Sequence, residues 1–280
     1  MKGEVGRGRE AEEEDRVRFL ERELKKTARM QQHLREKFAV LHEALNRMNE
    51  AVQTAAPFPY PDELKPVVKL EGRRSDLVFL SFAGLNLGMG MPPFEFLRSF
   101  RERDVPGYFI KDFHQSWYQQ GLLGISRDME GTREYLAGLL APHEGARLAT
   151  LGASSGGYAA IVFGCWLGAR RVAAFSPQTA ITKRIVAQYA ALDTPEATEF
   201  LHGSGGVLDL RTFLQAQESP PEITVYFGAD HPQDTKEARR LEGLANVSLV
   251  AVEGVEGHSV TAALKRQGRL DDILEQLTGD

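Results

Sequence analysis

From about residue 76 onward, short runs that are apolar at nearly every position alternate with longer segments whose apolar residues recur at helical spacing. The runs are Leu77 to Phe82, Tyr108 to Phe113, Leu148 to Leu151, Val172 to Phe175, Ile223 to Phe227 and Val247 to Val252. A strand with one wet face alternates apolar with polar residues. A run that is apolar on both faces has to be covered from both sides, as in a parallel sheet. Helical candidates fall between the runs at Phe94 to Glu102, Arg127 to Leu140, Gly157 to Leu167, Thr235 to Leu244 and Ala262 to Leu277. Alternation of this kind predicts a three-layer α/β fold with a mostly parallel sheet and right-handed crossovers. In such sheets ligands bind at the carboxyl ends of the strands, so functional residues are expected just after each run.

The first part of the chain follows a different rule. Val17, Leu20, Leu24, Thr27, Gln31, Leu34, Phe38, Leu41, Leu45, Met48 and Val52 step by three and four in alternation. That is the heptad repeat of a coiled-coil seam, kept for roughly five heptads. The residues between are mostly charged or amide side chains, which suit a solvated outer face. Such a narrow stripe predicts a homodimer or higher oligomer through residues 17–52; one long helix lying on its own catalytic domain is the alternative. Pro57, Pro59 and Pro61 then predict an extended linker, because proline cannot continue a helix. The expected organisation is a helical arm over 1–55, a linker over 56–75 and a catalytic domain over 76–280.

Composition narrows the function. The 280 residues carry a net charge of −5, which argues against a grip on nucleic-acid phosphates. The lone cysteine, Cys165, cannot staple a fold, and a reducing cytoplasm is the expected compartment. The opening residues lead into an acidic run rather than an apolar one, so no secretory signal is expected, and no run is long enough to predict a membrane span.

The strongest local signal is Gly152-Ala153-Ser154-Ser155-Gly156, a G-x-S-x-G pattern lying between a predicted strand and a predicted helix. A serine on so tight a turn needs small neighbours two positions either side, and Gly152 and Gly156 supply them. The helix amino end adds N–H groups and partial positive charge for an incipient oxyanion. Ser154 is the expected nucleophile. Ser155, framed by Ala153 and Gly157, is the alternative.

A serine needs a base, and histidine has the right unperturbed pKa. His33 and His42 belong to the arm, and His143 precedes a strand at the wrong end of the sheet. His258 follows the last predicted strand in a glycine-bearing loop and is the expected base, ahead of His231 and His202. The acid that orients the imidazole is expected in the loop after Ile223 to Phe227, where Asp230 and Asp234 are both candidates. Asp234 with Glu237 also reads as a helix capping box, while Asp230 lies nearer the strand end.

The elbow Gly-Ala-Ser-Ser-Gly-Gly, the acid-bearing loop and the late Gly257-His258, in the order serine, acid, histidine, resemble the α/β-hydrolase superfamily over about residues 76 to 280. More loosely, Trp117 to Gly121, Ser155 to Ala160 and Phe175 to Thr179 resemble bacterial hydrolase-like proteins that accompany surface-glycan biosynthesis. The first resemblance implies that the acid often stands just before its helix, which favours Asp234. It also implies an oxyanion hole from the N–H groups of Ser155 and of Leu85, or its neighbour Gly84, in the loop after the first strand.

His114, Trp117, Tyr118, Phe175 and Gln178 follow strand ends and are the expected pocket residues. Aromatic side chains with polar tips suit sugars or ring-bearing acyl groups, and they suit structural anchoring equally. The span from about Ala180 to Pro221 follows a strand at a position where hydrolases insert lids. No cofactor is expected: no His/Asp/Cys cluster has metal-ligand spacing, and Gly88-Met89-Gly90 lacks a dinucleotide-binding frame. The expected function is a serine esterase or thioesterase acting on a small-molecule or glycan-linked acyl substrate. The alternatives are an acyltransferase of the same fold, or a catalytically silent partner protein that works through its coiled coil.

Overall fold

The computed structural model describes residues 65–85, 96–182 and 206–279, with Arg16, Val17, Leu20, Leu24 and Ile185 besides. Residues 1–48 and 49–280 form separate compact units. In the first, Arg16, Val17, Leu20 and Leu24 are helical and exposed; the rest of the expected coiled coil lies outside the described residues.

The second unit is built on a seven-stranded sheet of order β1-β3-β2-β4-β5-β6-β7. Its strands are β1 (Val67–Leu70), β2 (Leu77–Phe82), β3 (Gly107–Ile110), β4 (Arg147–Ala153), β5 (Arg171–Phe175), β6 (Glu222–Gly228) and β7 (Val247–Val252). β1 pairs antiparallel with β3, and every other pairing is parallel. The helices are α1 (Leu97–Arg101), α2 (Met129–Leu140), α3 (Ser155–Trp166), α4 (Leu210–Gln215), α5 (Pro232–Arg239), α6 (Val260–Arg266) and α7 (Leu270–Thr278).

The alternation of side chains along each strand divides the apolar residues between two cores. Val78, Leu80, Phe82, Tyr108, Ile110 and Leu148 join α2, α3 and α4 on one face. Leu77, Phe79, Phe109, Ala149, Leu151 and Phe175 join α1, α6 and α7 on the other. α3 is buried from Ser155 to Gly164, as the all-round apolar sequence of that segment requires.

Six strands coincide with the apolar runs. β1 does not: it lies within the expected linker, and its partly exposed Val-Val-Lys-Leu sequence is an edge pattern with no doubly apolar signature. The single helix expected over 262–277 is two, α6 and α7, separated at Gly268, whose φ of 69° ends the first.

Candidate active site

The turn between β4 and α3 fixes the centre of the site. Ser154 has φ 56° and ψ −121°, a backbone state outside the basins open to an ordinary residue. Holding a non-glycine there costs on the order of 1–3 kcal/mol and persists where the surroundings impose it. Here they do: Ser154 donates its N–H to the Phe175 carbonyl at 2.8 Å and accepts from the Tyr158 N–H at 3.1 Å. The flanking glycines are required by space. A Cβ on Gly152 would stand 2.7 Å from the Phe82 carbonyl oxygen, and one on Gly156 would stand 2.8 Å from the Ala83 carbonyl carbon. The same substitution at Gly84 would meet the Ala153 carbonyl at 2.9 Å and the Ser154 Cβ at 3.4 Å, so the loop after β2 runs directly beside the serine.

The loop after β7 brings His258 over this turn. His258 Nε2 lies 2.9 Å from Ser154 Oγ, and His258 Nδ1 lies 2.7 Å from Asp234 Oδ1. Asp234 is in the first turn of α5 and only 3 % exposed. The capping box that would have made it structural does not form. The helix starts at Pro232 with His231 as its N-cap, and Glu237 turns inward to accept from the N–H and hydroxyl of Thr179 at 2.9 and 2.8 Å. Asp230, the other candidate acid, accepts from the Gly254 N–H at 2.8 Å and so ties the loop after β6 to the loop that carries His258.

A second histidine lies beside the acid, its Nδ1 accepting from the Asp234 backbone N–H at 3.4 Å as the helix N-cap. His231 Nδ1 is 2.9 Å from the same Asp234 Oδ1, while Asp234 Oδ2 is buried with no hydrogen-bond partner. His231, Asp234 and His258 together offer ligand atoms within 4.8 Å of one another. Sequence spacing hides this set, because His258 stands 24 residues after Asp234. Two of the three residues are already held to the third by hydrogen bonds, and a divalent cation bound there would compete for the nitrogen that orients His258.

The expected pocket residues divide. Gln178, 3 % exposed, donates through Nε2 to Ser154 Oγ at 2.8 Å and lies 3.5 Å from His258 Nε2. Trp117, fully buried, donates from Nε1 to Gln178 Oε1 at 3.2 Å. Tyr118, equally buried, spends its hydroxyl on the carbonyls of Ala83 and Ile110 and anchors the loop. Phe175 stacks on Tyr226 in the core, with ring centroids 5.1 Å apart, and reaches the site through its carbonyl alone. His114 is partly buried, which lowers its pKa. Leu85 is partly buried against the core, and Ser155, the first residue of α3, has a buried hydroxyl without a partner. His202, Gly88 to Gly90 and most of the expected lid lie outside the described residues.

One organising residue escaped the sequence reading. Asp112, buried after β3, accepts from the N–H groups of Ser116 and Tyr118 at 2.7 and 2.9 Å. It thereby holds a loop in which Gln115, Trp117 and Tyr118 all have positive φ. The signal was available: an aspartate opening a turn commonly binds backbone N–H groups a few residues on. Burial pushes its carboxyl pKa up to about 6, against the lowering effect of those same N–H groups.

No family model matches the chain, and no curated protein matches it in sequence. Solved structures do. The capsule O-acetyltransferase of Neisseria meningitidis serogroup A superposes with a TM-score of 0.57 at 11 % identity, over 75 % of this chain and 90 % of that one. MenH from S. aureus gives 0.50 at 9 % identity, over 76 % and 98 %. At such identities the likeness speaks for architecture. Together with the strand order and the crossing of Ser154, His258 and Asp234 above the sheet, it gives the chain its class: it has the fold of the α/β hydrolases.

Proposed function

We propose that the chain is a metal-free serine hydrolase that cleaves an ester or thioester through an acyl-enzyme on Ser154. The observation that carries this reading is the hydrogen-bonded run from Ser154 Oγ through His258 to Asp234, mounted on a backbone-strained serine at a helix amino end. In the first step Oγ attacks the acyl carbonyl, and its proton passes to His258 Nε2. Asp234 holds the ring through Nδ1 and stabilises the imidazolium. The proton then goes to the leaving group. Ser155 opens α3, whose first-turn N–H groups have no partner within the helix, and the chain at Gly84 passes beside Ser154; the N–H groups of Ser155 and of Leu85 or Gly84 are the proposed oxyanion donors. Water, deprotonated by His258, releases the acid.

A fluorophosphonate probe tests this. Labelling is expected in the wild type, unchanged after exhaustive chelation, and lost in Ser154→Ala. Labelling that survives in that variant and disappears in Ser155→Ala would move the nucleophile to the other serine. A folded wild type that never labels would favour the silent-partner reading.

Acyl transfer is the second reading, and the architecture shared with a capsule O-acetyltransferase, a protein also solved with CoA, recommends it. The acyl-enzyme would be the same, and a sugar or other alcohol would replace water as the incoming oxygen. Comparing product formed from acetyl-CoA with and without glycan acceptors separates the two.

The arm is proposed to join copies of the chain. Val17, Leu20 and Leu24 are 50, 56 and 73 % exposed, positions that a heptad seam would bury against a partner helix. No helix among the described residues is long and apolar enough to cross a membrane. A cytoplasmic location remains the proposal drawn from the single cysteine.

A further inference from the structure

The hydrogen bonds at Ser154 extend beyond the acid and base, and their far end is chemically informative. Indole Nε1–H can only donate. Trp117 Nε1 therefore requires the oxygen of the Gln178 amide, which fixes its orientation and turns Nε2 toward Ser154 Oγ. At the other end, the Asp234 carboxylate can only accept. Between a pure donor and a pure acceptor, one arrangement of protons satisfies every partner. Trp117 donates to Gln178, Gln178 to Ser154, Ser154 to His258 Nε2, and His258 Nδ1–H to Asp234.

We infer that Gln178 is a further catalytic residue and Trp117 its positioning residue: together they aim the Ser154 hydroxyl proton at His258 and stabilise charge on Oγ as that proton leaves. This rests on the hydrolase reading above and adds a group that the serine, base and acid alone do not supply. Gln178 occupies one acceptor site on Oγ, which disfavours turning the hydroxyl proton toward the amide and leaves His258 Nε2 as its acceptor. The amide N–H remains hydrogen-bonded to Oγ as negative charge grows there, and that interaction strengthens with the charge. Both side chains are buried, and the bond from Trp117 to Gln178 is buried with them.

Three variants test the relay. Gln178→Ala is expected to slow fluorophosphonate labelling of Ser154 by about 10-fold or more. Trp117→Phe keeps the packing but frees the amide to turn over, and a smaller loss of a few-fold is expected. Gln178→Glu reverses the relay: the carboxylate can take the indole N–H on one oxygen and must accept the serine proton on the other. Labelling is expected to fall further than in the alanine variant. The titration midpoint of the His258 imidazole, followed by NMR without substrate, is expected to rise by about one pH unit. Asp234 and His231 face that ring in wild type and variant alike, so the shift reports the new carboxylate. The midpoint shift shows that position 178 faces the histidine, whereas a merely structural role for Gln178 would leave the labelling rate of folded Trp117→Phe at the wild-type value. Wild-type labelling rates in both Gln178→Ala and Trp117→Phe, or an unmoved midpoint in folded Gln178→Glu, would overturn the inference. A wild type that does not label would sink the hydrolase reading instead, while the NMR titration would still decide whether position 178 faces the histidine as described.

Discussion

Two aspartates four residues apart differ in what they hold. Asp234 accepts from His258 and is nearly sealed from solvent, whereas Asp230 accepts from a backbone N–H at the base of the histidine loop. Asp234→Asn keeps the size of the acid but removes the charge that stabilises the imidazolium, and it allows the wrong tautomer. A loss of roughly 10²- to 10⁴-fold in esterase turnover is expected, with little change in the KM for an activated ester. Asp230→Asn retains an acceptor oxygen for Gly254, and a loss under about 10-fold is expected. Equal losses in the two would mean that the acid is misassigned. Much of this was legible in sequence: the glycines around Ser154 and the order of serine, acid and histidine all point to one site. The choice between the aspartates was not, because it depended on where α5 begins. Pro232 sets that start, and it moves the N-cap from the expected Asp234 to His231. The pairing of Asp234 with His258 and the anchoring of Gln178 by Trp117 are contacts between distant segments, and no local pattern encodes them.

Among the described elements, the loop after β3 gathers positive φ at Gln115, Trp117 and Tyr118. Three residues with positive φ are held by one buried carboxylate. Because burial raises the folded-state pKa of Asp112 from 3.8 to about 6, the folded protein binds that proton more tightly than the unfolded chain. Ionisation therefore works against the fold, and stability is lost as pH rises from about 4 to about 6. Asp112→Asn has no proton to lose. Its stability relative to wild type is expected to rise across that window and to level off above it, by an amount on the order of 2–3 kcal/mol at full extent. A difference that stays flat from pH 4 to 7, measured by thermal unfolding, would contradict the assignment. The strands were easily read from sequence because burial on both faces leaves an unbroken apolar signature. β1 was missed for the converse reason, since an edge strand that is half exposed writes no such signature.

For the whole molecule, the chain divides after residue 48 into two compact units. The expectation for the arm is decisive at this scale: deleting residues 1–55 should reduce the mass in solution to that of a single chain and leave the rate of Ser154 labelling within about 2-fold. An unchanged oligomer would place self-association in the α/β unit.

Within that unit, the inward turn of Glu237 has a wider meaning. α5 carries Asp234 three residues before Glu237, and Glu237 fastens Thr179, the neighbour of Gln178. One short helix thus serves as the common mount for two members of the proposed proton relay, the accepting acid and the amide that donates to Ser154. A shift of α5 would misalign the two together, while the strained serine stayed on its own separate footing. On the proposed mechanism, catalytic rate is a finer gauge of how α5 is seated than melting temperature, and substitutions remote from Ser154 that loosen this helix are expected to lower the proposed activity well before they unfold the chain.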